Sequence, residues 1–131
     1  MAEALFEHVN MTVTDPDKTA EMLSDLFGWH VRWKGDSKGG GYTVHVGTDT
    51  LYVALYRPAP EQFVERPGED SSYSLAGAVN HLGILVDDLD AAETRVLEYG
   101  IKTHSHQTYD PGSRFYFHDE NGIEYEVVSY A

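Results

Sequence analysis

The stretch FEHVNMTVTDPDKTAEMLSDLFGW, residues 6–29, decides the fold because its pattern returns as NHLGILVDDLDAAETRVLEYG, residues 80–100. When the chain is shifted against itself by 73 positions, His8 coincides with His81 and Asp15 with Asp88. The match extends over nearly the whole chain, with a one-residue slip around the first helix. A repeat of this length indicates two copies of one structural unit, each too small to close a core alone.

Each copy predicts the element order βαβββ. Polar and apolar residues alternate over residues 4–13, and Asp15-Pro16-Asp17 then predicts a helix that ends at Gly28. The remaining predicted elements are strands near 29–34, 41–47 and 50–57, then a strand at 78–86, a helix from 88 to 100, and strands near 101–105, 113–118 and 122–130. We therefore expect one α+β domain over residues 1–131, in which two tandem modules form a curved mixed-sheet cup with the helices outside. The predicted divisions are a first module at 1–57, a linker at 58–77 and a second module at 78–131.

Composition excludes several classes of protein. The chain has 131 residues, of which 41% are hydrophobic, and it has no cysteine, which excludes disulfide scaffolds and thiolate chemistry. A net charge of −13 with only nine basic residues disfavours nucleic acid and anionic membranes as partners. We see no membrane span and no signal peptide, and we expect a cytoplasmic protein. The acidity indicates solubility or a saline cytoplasm, with attraction of a cationic ligand as the functional alternative.

Two histidines and a glutamate stand out as candidate metal ligands. Alternation places His8 and His81 on the strand faces opposite the apolar, helix-facing side chains. Glu126 lies in the middle of the last strand, where a buried carboxylate needs a cationic partner. Two imidazoles and one carboxylate bind a divalent transition metal and leave positions open for substrate. The alternatives are an ion pair between Glu126 and Arg114, and histidines that serve only as core or surface residues.

The same residues carry a resemblance to a known family. The two copies, together with FYFHDENGIEYEV at residues 115–127, resemble the vicinal-oxygen-chelate superfamily of glyoxalases, extradiol dioxygenases, fosfomycin-resistance enzymes and bleomycin-resistance proteins. The resemblance implies metal ligands at His8, His81 and Glu126, with Val53 where glyoxalase I has a fourth ligand. It also implies a role for Tyr116, ten residues before the glutamate, as a hydrogen-bond donor or acid/base beside the metal.

Other histidines are looser candidates for the site. The further active-site histidines of the dioxygenases have no counterpart in register: His106 lies near one of them but out of register, and His45 and His118 are loose candidates. His104 and His106 lie beside a turn that contains Gly and Pro, where solvent exposure alone would account for them.

We expect a metalloenzyme that acts on a small substrate bearing two adjacent oxygens, with Fe²⁺, Mn²⁺, Ni²⁺ or Zn²⁺ as the cofactor. Its activity would be dioxygenase-like or that of a glyoxalase-like lyase or isomerase. The alternative is a metal-independent, bleomycin-resistance-like protein that sequesters a cationic ligand. The resemblance also implies a homodimer. The residues expected to line the substrate pocket are Phe6, Asn10, His45, Val53, Leu55 and Arg114.

Overall fold

A computed structural model of the chain describes residues 2–64 and 71–131. The chain divides into two compact units, Met1–Val64 and Glu65–Ala131. Residues 65–70, within the predicted linker, lie outside the described residues. In the part of the chain that is described, no helix combines the length and the apolar composition that crossing a membrane requires.

The first unit is a four-stranded mixed sheet with one helix of three turns. Strand order is β1-β4-β3-β2; β1 runs parallel to β4, and the other neighbours are antiparallel. Short 3₁₀ turns follow β2 and β4. The elements are β1 (His8–Thr12), α1 (Pro16–Phe27), β2 (His30–Asp36), β3 (Tyr42–Gly47) and β4 (Tyr52–Arg57).

Helix α1 begins and ends where the sequence predicts. The Asp15 side chain accepts a hydrogen bond from the Lys18 backbone N–H, and Gly28 ends the helix at a φ of 71°. The helix packs on β3 and β4, and its Leu23 and Leu26 are buried. Each buried leucine contributes roughly 1.5–3 kcal/mol, so this packing holds the sheet and helix together.

The second unit repeats this arrangement in the strand order β5-β8-β7-β6, with β5 parallel to β8. Asp88 caps its main helix by accepting a hydrogen bond from the Ala91 N–H. The predicted βαβββ order is therefore confirmed in both copies. The elements are α2 (Ser71–Ser74), β5 (His81–Leu85), α3 (Leu89–Glu98), β6 (Thr103–Tyr109), β7 (Gly112–His118) and β8 (Glu124–Ser129).

A buried aspartate closes the hairpin between β7 and β8. Asp119 Oδ1 accepts hydrogen bonds from the backbone N–H groups of Asn121 and Ile123, and Oδ2 accepts one from the Tyr125 hydroxyl. Burial raises the pKa of Asp119, and these hydrogen bonds offset only part of that rise. The turn thereby fixes where β8 begins and so which of its side chains face the core.

The register of β4 shows that two pocket predictions are wrong. Val53 pairs with Val9 and Leu55 pairs with Met11, and both Val53 and Leu55 are buried on the side that α1 covers. Because side chains alternate along a strand, these two residues belong to the core and not to the face that carries His8.

The same register corrects the end of the internal repeat. Glu126 pairs with Gly83 in β5, and the corresponding pair in the first unit is Ala54 with Asn10. The repeat offset is thus one residue shorter in β4 than in β1, so the counterpart of Glu126 is Ala54 and not Val53. An apolar residue still replaces the carboxylate in the first unit, as the sequence predicts.

Candidate metal centre

One face of the second sheet is polar and partly buried, and the other face is the core. On β7 and β8 the core face carries Phe115, Phe117, Tyr125 and Val127, all at most 1% exposed. The alternating positions, together with the paired residues of β5 and β6, form the opposite face. We call this the polar face; its chemically reactive residues are His81, His104, Arg114, Tyr116, His118, Glu124 and Glu126.

The predicted ligands His81 and Glu126 meet on the polar face. His81 Nε2 lies 3.6 Å from Glu126 Oε1. The other carboxylate oxygen, Oε2, accepts hydrogen bonds from Arg114 Nη1 at 2.8 Å and from the Tyr116 hydroxyl at 3.0 Å. Glu126 is therefore held by one oxygen, while its second oxygen faces the imidazole of His81.

The surroundings of Glu126 keep it ionised. Burial alone would raise its pKa, but the hydrogen bonds from Arg114 and Tyr116 and the nearby positive charge outweigh burial and lower the pKa. The ion pair with Arg114 that the sequence offers as an alternative is present. It engages Oε2 only, and within the described part of the chain Oε1 accepts no hydrogen bond.

Tyr73 contacts both His81 and Glu124 on the polar face. The Tyr73 hydroxyl donates its single hydrogen to Glu124 Oε1 and lies 3.1 Å from His81 Nδ1. Partial burial and the hydrogen bond to Glu124 raise the pKa of Tyr73 to about 12, so the hydroxyl keeps its proton. A neutral His81 that donates Nδ1–H to this hydroxyl oxygen would present the lone pair of Nε2.

The donor set fits a divalent cation. His81 Nε2 and Glu126 Oε1 face each other at a distance too long for a hydrogen bond. Two ligands of one ion, each about 2.1 Å from it, lie about 3–3.5 Å apart. Gly83 lies beside this position, and a Cβ there would make only an ordinary contact with Glu126 Oε1, at 3.7 Å. A histidine whose other nitrogen donates a hydrogen bond is also the usual form of a metal ligand.

The polar side chains around this pair are oriented by aromatic contacts. The rings of Tyr116 and His81 are nearly perpendicular, with centroids 5.6 Å apart. Burial raises the pKa of Tyr116, and its hydrogen bond to Glu126 raises it further. The Arg114 guanidinium lies 4.2 Å from the centroid of the Tyr109 ring. Arg114 Nε is buried without a hydrogen-bond partner among the described residues. The raised pKa of Tyr116 keeps its hydroxyl protonated beside the carboxylate of Glu126.

Sequence reasoning missed a second group on the same face. His104 Nε2 lies 3.1 Å from His118 Nδ1, and His118 Nε2 lies 3.3 Å from Glu124 Oε2. The sequence makes only His118 a loose candidate, it explains His104 by solvent exposure, and it does not single out Glu124. The place of Glu124 two residues before Glu126 nevertheless puts it on the same strand face. Tyr73 was also missed, because it comes from the predicted linker.

The first unit presents His8 on the corresponding face of its own sheet. His8 stacks on Tyr52, Tyr52 stacks on His45, and the Arg32 guanidinium lies 4.5 Å from the Tyr52 ring centroid. His8 Nδ1 is 2.9 Å from Glu7 Oε1. Because His8 belongs to the first unit, its place in a ligand set with His81 and Glu126 stays a prediction from the sequence.

The other predicted pocket residues fall into distinct places. Asn10 is exposed on the same face of β1 as His8, and Phe6 is 77% exposed just before that strand. His45 lies on this face of β3, where burial lowers its pKa and the nearby charge of His8 lowers it further.

Comparisons with known proteins agree on the fold. The family model of the Glyoxalase/Bleomycin resistance protein/Dioxygenase superfamily matches residues 5–127. A search of curated proteins finds no match. Among solved structures, a glyoxylase/bleomycin resistance protein/dioxygenase domain from Frankia sp. EAN1pec is 20% identical over 98% of both chains, with a TM-score of 0.79.

Two fosfomycin resistance proteins are also similar in structure. FosX from Listeria monocytogenes, solved with Mn(II) and a sulfate ion, is 16% identical with a TM-score of 0.68; the match covers 98% of this chain and 93% of that one. FosX from Mesorhizobium loti is 20% identical with a TM-score of 0.65, and the match has the same coverage. At these identities the likeness shows the fold alone.

Proposed function

The chain belongs to the Glyoxalase/Bleomycin resistance protein/Dioxygenase superfamily, and on that premise we propose that it is a divalent-metal-dependent enzyme whose ion is held by His81 and Glu126. The observation that carries the proposal is the facing pair of donor atoms, His81 Nε2 and Glu126 Oε1, 3.6 Å apart. The remaining atoms of both side chains are already engaged, His81 by Tyr73 and Glu126 by Arg114 and Tyr116.

The proposed ligand set includes His8 as the third protein ligand, because it is the repeat counterpart of His81. Three protein ligands leave positions open for a small substrate that binds through two adjacent oxygens. A bound divalent ion supplies Lewis-acid chemistry, which stabilises negative charge on a substrate oxygen.

Tyr116 and Arg114 are the chain's own contributions to the reaction. The Tyr116 hydroxyl, with its raised pKa, stays protonated and donates a hydrogen bond at the edge of the site. Arg114 holds Glu126 ionised and fixes the direction of its second oxygen. Together they keep one oxygen of Glu126 available to a cation.

The choice of Mn²⁺ as the first probe follows the Mn(II) complex of Listeria monocytogenes FosX. Fe²⁺, Ni²⁺ and Zn²⁺ are tested beside it, since imidazole and carboxylate ligands accept all of them. The predicted homodimer is part of the proposal and is checked by sedimentation of the same samples.

Metal binding of the full-length chain tests the proposal. Chelator-treated protein is titrated with each of the four ions, and the wild type is compared with His81→Ala and Glu126→Gln. The matched control is His30→Ala, an exposed histidine of the first unit. We expect both site variants to lose one ion that the control retains. The proposal is overturned if the wild type binds less than about one ion per two chains with every metal, or if the two site variants bind as the control does.

A substrate panel tests the activity. Oxygen consumption with catechols reports a dioxygenase, and loss of a thiol–ketoaldehyde adduct reports a glyoxalase-like isomerase or lyase. We expect turnover that needs added metal and disappears in His81→Ala. Tight binding of a cationic glycopeptide in the presence of chelator, without any turnover, would instead identify a metal-independent binding protein.

A further inference from the structure

We propose that His104, His118 and Glu124 form a second transition-metal site on the polar face, separate from the His81–Glu126 pair. The three residues each offer one ligand atom, and these atoms lie within 4.8 Å of one another. All three are partly buried. The inference goes beyond the proposed function, because none of its ligands belongs to the predicted set of His8, His81 and Glu126.

The outer atoms of the cluster are held, and its inner atoms make two short contacts through the His118 ring. His104 Nδ1 lies 2.9 Å from Ser105 Oγ, and Glu124 Oε1 accepts the hydrogen bond from Tyr73. The atoms that remain are His104 Nε2, His118 Nδ1 and Nε2, and Glu124 Oε2, linked by contacts of 3.1 Å and 3.3 Å. A cation at this point would bind one atom from each of the three residues.

An irregularity of the backbone brings His104 into the cluster. The register of β6 shifts between His104 and Gln107, and Ser105 within this bulge has a φ of 58°, a conformation that a non-glycine residue adopts at an energetic cost. The extra residue sends His104 to the polar face and His106 to the side of α3, where His106 contacts Glu93. The bulge therefore separates two histidines that a regular strand would place on one face.

The donor set selects a class of metal. Two imidazoles and one carboxylate favour Zn²⁺, Ni²⁺, Cu²⁺ or Fe²⁺ over Mg²⁺ and Ca²⁺. By sheet register the counterparts of these three residues in the first unit are Trp33, Gly47 and Tyr52, which offer no comparable ligand set. The site is thus specific to the second copy of the repeat and is not a general feature of the fold unit.

Zn²⁺ titration of the chelator-treated, full-length chain tests the site. His104→Gln and His118→Gln each remove one ligand, and His106→Gln is the matched control on the same strand. We expect the wild type and His106→Gln to bind one more ion than either ligand variant. The inference is overturned if His104→Gln and His118→Gln bind the same number of ions as His106→Gln, which would identify a hydrogen-bonded chain without a metal.

A measurement on the unmodified chain keeps the test independent of folding. During the same titration we expect the ring ¹⁵N signals of His104 and His118 to shift together, and unchanged signals for both would overturn the site. His81→Ala separates the two proposals. If only His81→Ala loses an ion, the second site fails and the proposed function stands. If only His104→Gln and His118→Gln lose an ion, the second site stands and the proposed function fails.

Discussion

His81 Nε2 and Glu126 Oε1 face each other across 3.6 Å on adjacent parallel strands. Every other polar atom of the two side chains is engaged by a neighbour: Tyr73 at the imidazole, and Arg114 and Tyr116 at the carboxylate. An arrangement that fixes two donor atoms before an ion arrives reduces the ordering that binding requires. This preorganisation is the basis of the predictions below.

A single methyl group can be added at Gly83 without displacing either ligand. A Cβ at this residue would lie 3.7 Å from Glu126 Oε1, an ordinary contact, so Gly83→Ala should bind Mn²⁺ nearly as the wild type does. Gly83→Val adds two methyl groups beside the oxygen and should weaken binding about tenfold or more. Equal affinities for the two variants, measured by titration, would show that no ion sits beside Gly83.

The hydroxyl of Tyr73 orients His81. Tyr73→Phe keeps the ring but removes the hydrogen bonds to His81 Nδ1 and Glu124, so Mn²⁺ affinity should fall about 10- to 100-fold. Tyr130→Phe, at an exposed tyrosine, is the control and should leave the affinity unchanged. If the two variants bind Mn²⁺ alike, the imidazole needs no orienting partner.

Arg114 makes the stability of the protein sensitive to acid through Glu126. Because the folded state lowers the pKa of Glu126 below 4.5, this group stabilises the protein above that pH, and its contribution is lost as the pH falls further. Arg114→Met should raise the pKa of Glu126 and so reduce the stability that the protein loses as the pH falls.

Carboxyl ¹³C titration measures the pKa of Glu126 directly, and urea unfolding between pH 3 and 6, a range set by the ordinary carboxyl pKa, measures the stability. Arg32→Met, which removes an arginine of the first unit, is the control. An unchanged pKa of Glu126 in Arg114→Met would show that the ion pair does not determine its charge.

Tyr125 makes the protein sensitive to alkali. Burial raises its pKa well above 10 in the folded state, and the nearby charge of Asp119 raises it further. The contribution of this hydroxyl to stability is therefore fully present below pH 10. It is lost as the pH rises above 10, because the tyrosine of the unfolded chain ionises first. In Tyr125→Phe this alkaline loss should be smaller.

At neutral pH, Tyr125→Phe should lower the free energy of unfolding by about 1–2 kcal/mol, because Asp119 loses a buried hydrogen-bond donor. Urea unfolding at pH 7 and at about pH 11 measures both effects, with Tyr130→Phe as the control. An alkaline loss as steep in Tyr125→Phe as in the control would contradict the assignment to this hydroxyl.

The parts of the fold that follow from local chemistry could be predicted from the sequence. Asp15, Pro16 and Gly28 determine the limits of α1, and strict alternation in β8 places Glu126 opposite the core. These features depend on side chains close in sequence, and the Asp15 cap recurs in the second copy as Asp88. Glu126 could be singled out because a mid-strand carboxylate needs a partner, and Arg114 is that partner.

The errors and omissions all involve contacts distant in sequence or small changes of register. The repeat alignment places Val53 one position out of step, since a single-residue change in β4 exchanges the core and polar faces. The β6 bulge at Ser105 separates His104 from His106 in the same way. Tyr73 reaches Glu124, 51 residues away, from a segment whose composition predicts only a linker.

Anomalous scattering from a Mn²⁺-soaked crystal of the full chain tests the central claim most directly. The account predicts a manganese peak within bonding distance of both His81 Nε2 and Glu126 Oε1, with Arg114 still bonded to the other carboxylate oxygen. A fully occupied manganese peak elsewhere, with the space between these two atoms empty, would contradict it.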